Sequence, residues 1–318
     1  YRSREDIDEI LDSHVTQGRL VERLLLRTEQ KVLDPEVSPR IELKVSRIDE
    51  YPHDIRRYEL IRDDGGDLPE FEPGAHIDLF TGHGLRRSYS LAGDSAVRDR
   101  YVLGIRREQA SRGGSDWLLD HLSAGDDVMA SLPSNNFPLN NTAVRHTLIA
   151  GGIGVTPVMA MGYQLRRQGM DFHLHFCAPN EARAPLLEEV RSIFGDNLTL
   201  HFDNGDPSQG IDLDRLLENP SKGEHAYVCG PAGLVGSVRE KASHWPAGTV
   251  HWEPFTPEAD QATQKNEVFE VVLSRRNLRL EVPTDKTILE VVREAGVEIE
   301  SSCEGGLCGW CRIGLLGG

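Results

Sequence analysis

Cysteine is scarce in this chain. Five in 318 residues are too few to staple a protein of this length, which excludes a disulfide-built scaffold. Basic residues are outnumbered 35 to 51 by acidic ones, a formal charge of −16. That balance sets the chain against non-specific nucleic-acid binding and toward a basic protein partner. No apolar run approaches the ~20 residues of a membrane span, and no signal-peptide pattern is visible, so the cytoplasm is the default location and no membrane partner is expected. No histidine follows His251, which leaves a zinc site near the C-terminus without its usual nitrogen ligands. Internal repeats and low-complexity tracts are absent as well.

Against that scarcity, three of the five cysteines crowd into eleven residues, Ser301-Ser302-Cys303-Glu304-Gly305-Gly306-Leu307-Cys308-Gly309-Trp310-Cys311. C-x4-C-x2-C in a glycine-rich loop is the plant-type spacing for a [2Fe–2S] cluster. Small residues between the thiolates let backbone amides turn toward sulfur. Reactive loop thiols or part of a zinc site are the plainer alternatives. A cluster needs a fourth thiolate, which is expected beyond Gly318, since Cys177 and Cys229 are the remaining cysteines and lie far upstream.

A length of 318 residues implies two or three domains, and 38% hydrophobic residues suffice for ordinary cores. Residues 1–38 read as a charge-rich helical extension, with Ile7, Ile10, Leu11, Leu20, Leu24 and Leu25 near helical spacing. It serves either as a surface helix or as a connector to an upstream domain; Tyr1 in place of Met leaves the N-terminus open. Residues 39–141 change to short alternating strands with Gly/Pro punctuation, such as Ile41–Val45, Arg57–Ile61 and Ala75–Leu79, the texture of an antiparallel barrel. Residues 142–256 alternate strand and helix: His146–Ile149, Pro157–Gln168, Asp171–Cys177, Leu186–Phe194, Leu198–Phe202, Leu213–Leu217 and Ala226–Cys229. This predicts an α/β parallel sheet covered on both faces. Residues 257–266 are polar and aperiodic, hence a linker. In 267–318 a hairpin, Val268–Leu273 with Leu278–Val282, precedes a helix at about Thr287–Ala295, with Thr284 or Asp285 near its cap and Gly296 at its end. Hairpin, helix and cysteine loop form the front of a β-grasp ferredoxin-like domain.

Four further motifs carry chemistry. Arg87-Ser88-Tyr89-Ser90 ends a barrel strand; the Arg suits a phosphate, the Tyr a flavin ring or ribityl chain, and Ser90 the flavin N5. An exposed strand end fits the same quartet. Arg106 closes the next strand, and Arg112-Gly113-Gly114-Ser115 opens a helix, where free N–H groups favour a phosphate and where Ser115 could equally cap the helix. Gly151-Gly152-Ile153-Gly154-Val155-Thr156-Pro157 is a strand–glycine loop–helix turn able to approach a pyrophosphate or flavin, with Thr156 and Pro157 suited to cap and first turn. Cys229-Gly230-Pro231 follows an apolar strand, where a small thiol could approach a planar ring or simply fill the core. Phe255 could lie over such a ring or be a core aromatic.

R-x-Y-S, G-G-I-G-x-T-P, C-G-P and C-x4-C-x2-C, in that order, resemble the phthalate dioxygenase reductase family, within the ferredoxin–NADP reductase superfamily, over residues 39–318. The resemblance implies FMN between barrel and nucleotide domain. Arg87, Tyr89 and Ser90 match the flavin motif, and Arg112–Ser115 the phosphate turn. Gly151–Pro157 match the dinucleotide loop, and Cys229-Gly230-Pro231 the segment beside nicotinamide. Phe255 matches the aromatic stacked on the flavin, and Cys303, Cys308 and Cys311 match three cluster ligands. It implies an enzyme that takes two electrons from NAD(P)H and passes them singly through FMN and [2Fe–2S] to a terminal oxygenase, a Rieske non-haem iron oxygenase or a cytochrome P450, possibly fused. A stand-alone flavin reductase or redox sensor, whose last domain only docks a partner, is the competing reading. Ala178-Pro179-Asn180 brings no basic cluster for a 2′-phosphate, which favours NADH; Arg183 nearby keeps NADPH open.

Overall fold

The computed structural model describes residues 39–80, 86–107, 114–254, 268–274, 276 and 278–297. The extension 1–38, the linker 257–266, Arg112, Gly113, Phe255 and the cysteines 303, 308 and 311 lie outside the described residues.

The alternating segments form β1 (Arg40–Tyr51), β2 (Ile55–Ile61), β3 (Ala75–Phe80), β4 (Arg86–Ser90), β5 (Tyr101–Arg106), β6 (Asp127–Ser131) and β7 (Ser134–Asn135), with α1 (Gly114–His121) after β5. Their order is β4-β3-β6-β1-β2-β5, with β7 added beside β3, and neighbours pair antiparallel. The two end strands meet where Leu91 bridges Leu103 and Ala92 N–H donates to Val102 O at 2.9 Å, closing the sheet into a barrel and removing its free edges. Inward positions carry Leu43, Val45, Tyr58, Leu60, Ile77 and Leu103, each at most 1% exposed. Each such aliphatic side chain contributes ~1.5–3 kcal/mol relative to exposure.

The second body runs β8 (Arg145–Gly151), α2 (Val155–Gln168), β9 (Asp171–Ala178), α3 (Leu187–Phe194), β10 (Leu198–Phe202), α4 (Leu213–Leu217), β11 (Glu224–Gly230), α5 (Ala232–Lys241) and β12 (Val250–Pro254). The strands are parallel in the order β10-β9-β8-β11-β12. Phe172, Leu174 and Phe176 face α2 and α3 on one side. Ile149, Ala226 and Val228 face Leu217, Val235, Val238 and Trp245 on the other, so helices cover both faces as expected. The chain moves outward from β8 to β10 and then returns to β11 on the other side of β8. The β8–β11 boundary is therefore the topological switch, where doubly wound sheets open a crevice at their carboxyl ends.

The last described piece is the hairpin β13 (Phe269–Leu273) with β14 (Leu278–Val282) and α6 (Ile288–Glu294). The α6 cap is Thr287, not Thr284 or Asp285: its hydroxyl accepts from the Glu290 N–H at 3.2 Å, while Glu290 accepts from the Thr287 N–H at 2.7 Å. This reciprocal box satisfies two orphan donors, which the earlier Thr and Asp cannot do from their turn. Gly296 follows the helix at φ 75°. Among the described residues no helix is long and apolar enough to cross a membrane.

Candidate functional site

The crevice is built by backbone approaching backbone. Ala150 on β8 stands opposite Cys229 on β11, so the turns that leave these strands emerge side by side. Gly154 lies so close that a Cβ there would sit 2.3 Å from the Cys229 carbonyl oxygen. At Gly151 a Cβ would meet Pro231 Cδ at 2.7 Å and Leu234 Cδ2 at 2.8 Å. The G-G-I-G-x-T-P and C-G-P motifs are thus two walls of one place. The helix cap falls to Gly154, with Val155 as first residue, not to Thr156. Thr156 instead donates from its hydroxyl to Ile153 O at 3.0 Å. Pro157, still in the first turn, lacks an N–H where none has an intrahelical acceptor.

The barrel closes the third wall. A Cβ on Gly104 of β5 would lie 2.7 Å from Thr156 Cγ2 and 3.3 Å from Ile153 Cδ1, so β5 packs directly on the start of α2. Two residues on, the Arg106 guanidinium reaches within 3.7 Å of where a Gly152 side chain would begin, and Gly152 adopts φ 53°, a left-handed conformation. In the sequence Gly104 belongs to the strand end Gly104-Ile105-Arg106-Arg107 and carries no role of its own; a lone glycine inside the strand pattern Tyr101–Arg106 is its signal.

On β4, Ser90 is buried at 7% exposure and pairs with His76 on β3. Arg87, Ser88 and Tyr89 are half-buried. Arg87 donates to Arg86 O at 2.7 Å. Ser88 donates to Asp78, the partner of the buried Arg86, so its hydroxyl is held by the barrel wall rather than offered to a ligand. The Tyr89 hydroxyl is buried and finds no hydrogen-bond partner among the described residues; desolvation pushes its pKa up. Such an orphan costs about 1–3 kcal/mol where nothing else satisfies it. The first residue of α1 is Gly114, which puts Ser115 inside the first turn rather than at the cap. Arg107 ties β5 to α1 through Asp120 at 2.7 Å and Asp116 at 3.4 Å.

Cys229 is fully buried, and its thiol is pushed well up, first by desolvation and then by the Glu253 charge. It is a neutral, small wall atom, not a thiolate. Glu253 stands opposite it on β12. Its Oε2 is buried with no partner among the described residues, and desolvation pushes the carboxyl up to about 7. Sequence reasoning passed over Glu253. Its only signal is a carboxylate at the end of the short strand Val250–Pro254.

An antiparallel barrel abutting the carboxyl-end crevice of a parallel sheet, with a glycine turn at the switch point and an orphan tyrosine hydroxyl on the barrel side, defines a flavin- and nicotinamide-dependent reductase of the ferredoxin-reductase type. Comparison with known proteins narrows the class. Over 286 residues the chain is 39% identical to phthalate dioxygenase reductase of Burkholderia cepacia, covering 89% of this chain and 88% of that protein. It is 37% identical over 289 residues to the reductase subunit of a tert-butanol monooxygenase/tert-amyl alcohol desaturase of Aquincola tertiaricarbonis, covering 87% and 86%. Among solved structures, phthalate dioxygenase reductase, described as a modular structure for electron transfer from pyridine nucleotides to [2Fe–2S], superposes with TM-score 0.74 at 39% identity over 87% of each chain. Residues 271–318 match the 2Fe-2S iron-sulfur cluster binding domain family. The chain belongs to the phthalate dioxygenase reductase family, and it is an oxidoreductase.

Proposed function

We propose that this chain is the reductase of an oxygenase system, carrying electrons from NADH through FMN to a [2Fe–2S] cluster and on to a terminal oxygenase, in the cytoplasm. When bound, FMN takes an electron pair and releases it one electron at a time, the step a one-electron cluster needs. The observation that carries the reading is the meeting of three sequence-distant motifs in one crevice: Gly154 against Cys229, Gly104 against Thr156, and Arg106 above Gly152.

In this reading Arg87 pairs with the flavin phosphate, Tyr89 covers the ring or chain and gains a partner for its hydroxyl, and Ser90 lies toward N5. Arg112 and Gly113, together with Gly114 and Ser115 of α1, would contribute to the phosphate end. Gly151, Gly152, Gly154, Thr156 and Pro157 admit the dinucleotide. Cys229, Gly230 and Pro231 hold the nicotinamide side, and Phe255 shields the flavin face. Glu253 stands ready to keep or release a proton beside Cys229. Cys303, Cys308 and Cys311 supply three cluster thiolates. The acceptor is an oxygenase, a Rieske protein or a cytochrome P450. A relative fused to its acceptor, a type IV self-sufficient P450 monooxygenase, matches 86% of this chain and 35% of its own at TM-score 0.73, which supports the P450 arm.

The test is spectroscopic and kinetic. The full-length protein is expected to show flavin and iron–sulfur bands and to reduce cytochrome c with NADH. Arg87→Ala is expected to lose FMN on dialysis while keeping its fold. Flavin content unchanged in that variant would refute the Arg87 role.

A further inference from the structure

Two serines and a histidine lie in one row across three neighbouring barrel strands. On β3, His76 stands opposite Ser90 of β4 on one side and opposite Ser134 of β7 on the other. Residues directly opposite in an antiparallel ladder share a face, with Cβ atoms about 4.5–5.5 Å apart. Ile77 and Leu79, next to them along β3, join the barrel core, so His76 turns to the other face. Ser90 and His76 are each 7% exposed, whereas Ser134 is exposed. The row runs from a buried hydroxyl, through a buried imidazole, to a hydroxyl in water.

The electron path proposed above leaves such a row a task. NADH delivers a hydride, which is two electrons and a proton, while a [2Fe–2S] cluster accepts electrons one at a time. The balance is NADH → NAD+ + H+ + 2e−. The electrons leave through the cluster, so one proton per NADH has to leave the crevice by another way. A serine hydroxyl hands a proton on but does not hold one at neutral pH. Imidazole titrates near neutrality and has two ring nitrogens, one to take a proton and one to give it up. We propose that His76 is the relay that carries this proton from Ser90 to Ser134 and so to solvent. The relay starts at Ser90 because the reading above turns that hydroxyl toward the flavin N5, and it rests on that reading.

The groups around His76 leave it this role. Along the same face of β3 and β4 the charged residues are Asp78 and Arg86, which pair at 3.5 Å, and Asp78 also accepts from the Ser88 hydroxyl. On β6 the Ser131 hydroxyl accepts from the Asp78 N–H at 2.9 Å, and Asp127, at the start of that strand, faces Lys44 at 3.9 Å. On β7, Asn135 is occupied by the backbone, donating to Pro73 O at 3.1 Å and accepting from the Phe137 N–H at 2.9 Å. Among the described residues of these four strands, His76 is the group on this face suited both to take and to release a proton near neutral pH.

The other proton-holding group of the crevice, Glu253, belongs to a different sheet, beside Cys229 on β12. There it attends the nicotinamide, where the hydride departs, whereas His76 stands behind Ser90, where the proton has to be removed. The two are separable by the kinetic phase that each one moves.

The experiment is stopped-flow spectroscopy of the full-length, cofactor-loaded protein in two phases: bleaching of the flavin band on mixing with NADH, and its return on mixing the reduced protein with cytochrome c. An indicator dye in weak buffer reports proton release in the second phase. In wild type that phase is expected to slow as pH falls from about 8 to about 5.5, because a protonated ring accepts no further proton, and to slow in D2O. His76→Gln keeps a hydrogen-bonding amide but holds no proton. It is expected to retain FMN and to bleach at the wild-type rate. Its second phase is expected to be slower on the order of a hundredfold, with the pH dependence gone. A second phase of wild-type rate and pH profile in His76→Gln would overturn the relay. So would a flat profile in wild type itself, whichever way the variant folds. Full-length protein without flavin or cluster bands would instead refute the underlying reading, and the relay with it.

Discussion

Replacing Glu253 with Gln isolates the energy held in the crevice. The carboxyl is held up at about 7 in the folded protein against 4.5 for an exposed glutamate, and the cause is desolvation alone. Between those values the folded chain keeps a proton that the unfolded chain has released, so stability falls as pH rises from 4.5 to 7 and is level above. The difference of about 2.5 units, at 1.36 kcal/mol each, is an upper bound of about 3 kcal/mol, because the residue as a whole keeps some exposure while its Oε2 is enclosed. Gln copies the protonated form without titrating. Glu253→Gln is therefore expected to match wild type near pH 4.5 and to exceed it at pH 8 by up to about 3 kcal/mol in urea unfolding followed by tryptophan fluorescence. Cytochrome c reduction, measured alongside, is expected to lose its inflection near pH 7 if this proton serves the nicotinamide side. A stability difference that stays constant from pH 5 to 8 would refute the buried, unpartnered carboxyl.

Gly154→Ala is expected to cost about 1–3 kcal/mol, the usual penalty of overpacking, because its Cβ meets Cys229 backbone at 2.3 Å; it should also raise the NADH KM, and unfolding and steady-state kinetics like those of wild type would contradict the close approach. Thr287→Ala removes one arm of the α6 capping box and is expected to destabilise the hairpin–helix unit by about 1 kcal/mol, read as a lower urea midpoint for loss of the iron–sulfur absorbance. Cys308→Ser is expected to abolish cytochrome c reduction while sparing ferricyanide reduction, which needs the flavin alone; full cytochrome c activity would remove Cys308 from the electron path.

Much of this architecture could be read from period and punctuation, because the forces that set it are local. Leu198–Phe202 and Leu213–Leu217 fall where apolar spacing placed them, and the Gly151–Pro157 turn lies between strand and helix because only that arrangement uses its glycines and its proline. Less was legible where local preference is weak. Ala232–Lys241 is helical despite Gly233 and Gly236, since Val235 and Val238 bury against the sheet, and tertiary packing overrides propensity there. Val250–Pro254 is too short and too polar to announce a strand, yet pairing with β11 makes it one. The same pairing decides chemistry. Glu253 is an ordinary surface residue in the sequence and becomes a titrating wall of the crevice only because β12 lies beside Cys229. His76 likewise means nothing alone and faces Ser90 only when β3 pairs with β4. Motifs expose residues whose neighbours lie along the chain; residues whose neighbours come from the next strand have to be found in the folded sheet.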